Sequence, residues 1–308
     1  MALNEIQKRI LSTEKTAKIT NAMQMVSRNK VNHLLDMAQS YQVYIDHLRH
    51  TMSQLYYTLK VTPPDFTKPD IRSLIRNRPV KKVGIFLVTT DKGLAGPYNT
   101  SLLQGMDDWI RQQDLADKEL IFYTLGRTGE RYCDQRGYQI ARKYYPLSDQ
   151  PSFREAHYFI RQLRSAYVEK EVDILYLAYQ HYASGSLYRF GVDKLLPVVN
   201  VSASTDPEYV QGDRQAIPPV YLIEPTAEEV LEGLLPQYIE ANVYGALLQA
   251  KTAEHFARMT AMKSATDNAH DLIDQLKLKY NQERQVKVTN EILEIVAGAQ
   301  AQQKERRK

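Results

Sequence analysis

The chain has 308 residues, 43% of them hydrophobic and 25% charged, with a formal net charge of +4. At roughly 100–200 residues per domain, that length gives one large or two modest domains. The longest apolar run, "VGIFLV" from Val83 to Val88, is far short of the ~20 residues of a membrane span, and a single cysteine, Cys133, excludes an internal disulfide and a multi-cysteine zinc site.

The first residues, "MALNEIQKRIL", are charged and amphipathic and lack the apolar core of a signal peptide, which predicts a protein that is not exported. The single cysteine fits a reducing compartment. The mild basic excess is compatible with nucleic acid, an anionic membrane surface or an acidic protein partner. The one dense basic run, the terminal "KERRK", reads as a solvated tail.

In chain order, residues 1–62 contain neither glycine nor proline, which predicts one long helix. Apolar residues recur there in steps of three and four: Leu34, Ala38, Tyr41, Ile45, Leu48, Met52, Leu55 and Leu59. That is a coiled-coil seam. The stretch "KITNAMQMV", Lys18 to Val26, lacks such a stripe, and prolines at 63, 64 and 69 end the helix.

The middle of the chain reads as short strands alternating with helices. Strands are expected at 82–90, 119–126 and 173–182, with a weaker one at 138–145 and further ones at 188–198 and 220–223. Helices are expected at 99–113, 127–137 and 152–169, and a long loop at 199–219. Such alternation argues for a mostly parallel sheet in an α/β layer.

The far end mirrors the start. Ile239, Val243, Ala246, Ala250, Ala253 and Ala257 keep the three-four spacing. Ala261, Ala265 and Ala269 continue it in steps of four, then Leu272, Leu276 and Tyr280, and Val288, Ile292, Ile295 and Ala299 close it. Neither long helix is stable alone on so narrow a stripe. The fold class expected is therefore α/β plus coiled coil: two long terminal helices in an antiparallel coiled coil, with an inserted Rossmann-like, mostly parallel α/β domain. The expected divisions are 1–62, 80–225, 226–300 and a disordered basic tail at 301–308.

Few residues suggest chemistry. No G-x-G-x-x-G or G-x-x-x-x-G-K-[ST] occurs. The loop "TTDKGLAGPYN", Thr89 to Asn99, lies at the C-terminal end of a predicted strand, where α/β sheets bind ligands. Its Asp91 and Lys92 could cradle a phosphate, or the loop could be a tight strand-to-helix turn. "LGRTGE", Leu125 to Glu130, is a second such turn. His47 and His50 lack a third ligand at metal-site spacing. Ser184 and Ser186, in "YASGSLY", do not form a nucleophile elbow. The tyrosines are scattered rather than interleaved with basic residues as on an RNA-binding sheet.

Three stretches carry a resemblance. "TAKITNAMQMVS" fits the pattern K-I-T-x-A-M-x-M-V through Lys18, Ile19, Thr20, Ala22, Met23, Met25 and Val26. "TTDKGLAGPYN" is similar to S-T-D-R-G-L-C/A-G-G-x-N, departing at Lys92 and Pro97. "ARMTAMKSATDNA", Ala257 to Ala269, with Tyr280, Asn281, Arg284, Gln285, Thr289, Glu291 and "EIVAGA", completes the set. Together they resemble the gamma subunit of bacterial F-type ATP synthase.

The resemblance implies a non-catalytic central-stalk rotor without a cofactor or metal. Its implied partners are the alpha and beta subunits that ring the shaft, the epsilon subunit and the membrane c-subunit ring. It implies neither nucleic-acid binding nor insertion into the membrane. The implied location is peripheral, on the cytoplasmic face of the bacterial cell membrane. Carried onto this sequence, Lys18, Met23 and Arg258 would meet moving beta-subunit loops, and Arg284, Gln285 and Thr289 would form a polar catch. The chloroplast form has a thiol switch with paired cysteines, which one cysteine rules out within this chain. Two other readings stay open from the residues alone: an α/β enzyme with a coiled-coil stalk and a site at Asp91 and Lys92, and a basic coiled-coil nucleic-acid binder.

Overall fold

A computed structural model describes residues 3–61, 69–115, 117–145, 147–183, 187–198 and 223–305. Its helices are α1 (Leu3–Val61), α2 (Pro69–Ile75), α3 (Tyr98–Gln112), α4 (Arg127–Arg136), α5 (Phe153–Val168) and α6 (Ala227–Glu305). Its strands are β1 (Lys82–Val88), β2 (Glu119–Leu125), β3 (Gln139–Tyr144), β4 (Ile174–Ala183) and β5 (Leu187–Leu196). The chain divides into two compact units, Met1–Ser27 with Arg258–Lys308, and Arg28–Ala257. The division falls inside the two long helices rather than at the ends expected for them.

The larger unit holds one sheet in the order β3-β2-β1-β4-β5. Neighbours are parallel except β4 and β5, which form an antiparallel pair at one edge. The central strand β1 is buried along almost its whole length, as parallel strands covered on both faces are. Val83, Ile85 and Leu87 pack on one side with Tyr98, Leu102 and Met106 of α3 and Tyr132 and Cys133 of α4. Phe86 and Val88 face the other side, with Ala156, Phe159, Ile160 and Leu163 of α5 and Leu235, Ile239 and Val243 of α6.

Local signals explain the helix boundaries. Ser152 caps α5, accepting from the Glu155 amide while the Glu155 carboxylate accepts from the Ser152 amide. Gly137 ends α4 in the left-handed conformation. Gly126 turns β2 into α4 with φ +97°, and a Cβ there would lie 2.6 Å from the Thr89 carbonyl oxygen, so only glycine fits.

In this unit α1 and α6 run antiparallel. Tyr41 meets the Tyr244 ring edge-on at 4.7 Å, and Arg49 donates to Asn242 at 3.2 Å. Leu34, Ile45, Leu48, Met52 and Leu55 are buried, as the predicted seam requires.

Some expectations differ from what is observed. Helix α2 was not anticipated; its proline occupies the first helical position, where a missing N–H costs nothing. Helix α6 extends to Glu305, into the segment expected as tail, through alanine, glutamine, lysine and glutamate, all good helix formers. The strand expected at 220–223 and the loop at 199–219 fall almost wholly outside the described residues, as do Arg306, Arg307 and Lys308 of the tail.

Candidate partner-contact surface

All six residues singled out by the resemblance lie in the smaller unit. There the start of α1 packs antiparallel on α6. Ile6, Ala17, Thr20 and Ser27 are buried on α1, with Ile10 and Thr13 half-buried between them. Together with Val31 and Leu34, these positions extend the three-four spacing backward along the same helix. "KITNAMQMV" thus contributes Thr20 to a seam that Ala17 and Ser27 continue on either side, with small and hydroxyl-bearing residues instead of leucine.

The facing stripe on α6 is Met262, Thr266, Ala269, Ile273 and Leu276. This corrects the expected row: Ala261, Ala265 and Leu272 are only half-buried, and Met262, Thr266 and Ile273 take the seam. The reason is angular. Steps of four overshoot a turn by about 40° each, so a straight row of them drifts off the contact line that alternating threes and fours hold.

At the centre, the Thr20 and Thr266 hydroxyls lie 2.7 Å apart, and both are buried. One hydroxyl donates to the other. The second keeps its own helix, Thr20 bonding the Ala17 carbonyl at 3.1 Å or Thr266 the Met262 carbonyl at 2.9 Å. Two buried oxygens are thereby satisfied with two protons.

The six residues differ in access. Lys18 is exposed on the rim of a cleft of about 440 Å³ whose lining includes Glu14, Ala17, His270, Ile273 and Asp274. Met23 is half-buried, while its neighbours Ile19 and Met25 are each 60% exposed. Arg258 is buried at 6%. Arg284, Gln285 and Thr289 are exposed on consecutive turns of α6, and the Thr289 hydroxyl bonds the Gln285 carbonyl at 2.9 Å.

Beyond Leu276 most described apolar side chains of α6 lie open, Tyr280 being half-buried. Val288, Ile292 and Ile295, expected to close the seam, are exposed, Ile295 at 71%, as are Leu293 and Val296. Leu3, at the start of α1, lies beside Glu283 to Glu294, so α6 continues past the point where its partner helix begins.

The competing site at Asp91 and Lys92 is spoken for. The Asp91 carboxylate accepts from the Arg127 amide at 2.8 Å. Asn99 accepts from the Thr90 amide at 3.2 Å and donates to its hydroxyl at 2.8 Å. The Thr89 hydroxyl donates to the Leu125 carbonyl and accepts from the Gly129 amide. The loop is a turn stitched to the neighbouring β2–α4 turn.

Lys92 reaches Asp149 at 3.0 Å, and Lys30 of α1 reaches the same carboxylate at 2.6 Å. Burial opposes the charge on Asp149, but these two lysines prevail and hold its carboxyl well below the usual range. Sequence reading missed this three-way contact, because its members lie in three separate segments and no local pattern links them.

Other chemical candidates remain scattered. Among the described residues no three histidine, cysteine or acidic side chains gather as metal ligands. His47 and His50 are exposed. Ser184 and Ser186 lie outside the described residues. Burial pushes the Cys133 thiol up to about 12. No described helix is long and apolar enough to cross a membrane.

Comparison with known proteins supplies the context. The family model described as ATP synthase matches residues 2–302. The ATP synthase gamma chain of Enterococcus hirae is 41% identical over 303 residues, covering 97% of this chain and 98% of the relative. That of Enterococcus faecalis is 38% identical over 305 residues, with the same coverage. That of Lactiplantibacillus plantarum is 37% identical over 311 residues, covering 98% and 99%.

Among solved structures, a chain of the Euglena gracilis mitochondrial ATP synthase (OSCP/F1/c-ring) matches with TM-score 0.62 and 17% identity, covering 97% of this chain and 94% of that one. A chain of the Tetrahymena thermophila mitochondrial ATP synthase central stalk/c-ring matches with TM-score 0.54 and 19% identity, covering 80% and 99%. At those identities the structures speak for the fold. With kinship running along nearly its whole length, the chain belongs to the ATP synthase gamma chain family.

Proposed function

We propose that the chain is the central-stalk rotor of an F-type ATP synthase, a non-catalytic shaft coupling ion flow through a membrane ring to ATP synthesis or hydrolysis on a surrounding alpha–beta ring. The observation that carries this reading is the near-full-length likeness to ATP synthase gamma chains. In this reading the partners are the alpha and beta subunits, the epsilon subunit and the c-subunit ring. The place is the cytoplasmic face of the bacterial cell membrane.

Lys18, Met23, Arg258, Arg284, Gln285 and Thr289 are assigned to contacts with the ring, Arg258 being the least accessible of them at 6% exposed. A basic side chain facing acidic loops fixes register more than affinity. The open apolar end of α6 suits a greasy bearing, where a contact must slide rather than lock.

The test is assembly. Mixed with purified bacterial alpha and beta subunits, the chain is expected to yield an ATPase of three alpha, three beta and one copy of itself. Failure with every pair tried, including that of Enterococcus hirae, would sink the reading. The enzyme alternative predicts that the isolated chain binds a nucleotide. With Asp91 and Lys92 already bonded to Arg127 and Asp149, calorimetry is expected to show none.

A further inference from the structure

The outer face of α5 carries a feature that the rotor reading does not use. Arg154, His157, Arg161 and Arg164 follow one another in steps of three and four. At 100° per residue they fall within about 80° of arc. The buried residues Ala156, Phe159, Leu163 and Ala166 occupy the opposite side, with Ile160 and Tyr167 nearer the stripe.

All three arginines are exposed, and among the described residues none of their guanidiniums has an ion-pair or hydrogen-bond partner. The one carboxylate on the helix, Glu155, is turned back into the capping box. His157 is paired with Glu240 at 3.2 Å. Beside the stripe runs a groove of about 190 Å³ lined by Ile160, Pro236 and Ile239, by Arg161 and Arg164, and by the His157–Glu240 pair. Tyr158 borders the stripe on its other side, 59% exposed, with its ring 6.2 Å from that of Tyr144.

We infer that this face is a docking surface for an acidic helical segment of another protein subunit. The inference rests on the reading of the chain as one member of a larger assembly. Three observations select a protein carboxylate partner. Every permanent cation on the helix is arginine, whose planar fork matches a carboxylate with two parallel bonds. Arginine and tyrosine, the residues of this face, are what protein interfaces are enriched in. Three basic residues are also fewer than the four to eight that hold a helix on anionic lipid.

The stripe sets the partner's pattern. Arg154 and Arg161 are seven residues apart, about 10 Å along the axis. A helix with carboxylates seven apart would meet both, and an apolar side chain between them would enter the groove.

The test uses the intact complex extracted from its native membrane, with a photo-reactive phenylalanine at position 158. Illumination is expected to cross-link the chain to one protein segment bearing at least two carboxylates within about two helical turns. In a variant combining Arg154→Gln, Arg161→Gln and Arg164→Gln, the yield is expected to fall about tenfold, as three exposed ion pairs multiply. Unchanged circular dichroism is the check that the variant folds.

No cross-link, a cross-link to lipid or nucleic acid, a captured segment without carboxylates, or an unchanged yield in the triple variant would each overturn the inference. Subunit composition of the same preparation is scored separately. Absence of alpha and beta subunits counts against the rotor reading, while the cross-link is still judged by the carboxylates of the segment captured and by its loss in the triple variant.

Discussion

Two halves of one helix obey the same spacing with opposite chemistry. In the larger unit, α1 buries Leu34, Ile45, Leu48, Met52 and Leu55. In the smaller unit, after the buried Ile6, the same three-four rule is filled by Ala17, Thr20 and Ser27. Spacing fixes which side of a helix is covered. Side-chain size fixes how much free energy the cover contributes, at roughly 25 cal/mol per Å² of apolar surface removed from water. The leucine-rich half is built to hold. The other is narrow, close and less apolar.

Substitutions can break that comparison, and the largest effect belongs to the leucine-rich half. Leu34→Ala removes a fully buried side chain. Denaturant unfolding is expected to show a loss of about 2–5 kcal/mol. If the loss stays under about 1 kcal/mol, the leucine-rich half is not the stronger one.

Next comes the ionic contact in the same unit. Asp149→Asn gives up charge-assisted bonds to Lys30 and Lys92, expected to cost about 2 kcal/mol at neutral pH. The folded-state pKa is depressed below the ordinary 3.8. The stabilisation is therefore complete above the unfolded value and lost as pH falls through it toward the folded value. Wild type should lose stability from about pH 5 downward relative to the Asn variant, closing the gap. A gap that does not shrink on acidification would contradict this.

The smaller unit should respond less. Thr20→Val leaves the Thr266 hydroxyl its bond to Met262, so the loss is expected to be about 1 kcal/mol. Pairing it with Thr266→Val in a double-mutant cycle should reveal coupling, since the two hydroxyls touch. Smallest of all, Ile292→Ser with Ile295→Ser should change stability by no more than about 0.5 kcal/mol, because both are exposed. Under the rotor reading the same pair should impair assembly with alpha and beta subunits. Loss of stability without loss of assembly would reverse the assignment.

Much of this was legible in the sequence wherever apolar periodicity was strong. The glycine-free segment announced α1, and the β-branched runs announced β1, β2 and β4, because a covered strand must be apolar on both faces. The seam through Thr20 was not legible. Threonine, serine and alanine sit as readily on solvated faces as in a tight contact, so nothing marks them before a partner helix is seen. The alanine row misled by one position for the related reason that small residues do not reveal which of two adjacent stripes is covered. The Asp149 contact was hidden because charges distant in sequence carry no periodicity.

Cys133 has a practical consequence. The chain contains no other cysteine, and this one is buried, with its thiol raised to about 12. A thiol so placed is almost wholly protonated at neutral pH and out of reach of an electrophile. The chain is therefore expected to react with maleimides as though it had none. A cysteine introduced at an open position such as Val288 would be labelled alone, so fluorophores or tethers can be placed one at a time without first altering the native sequence.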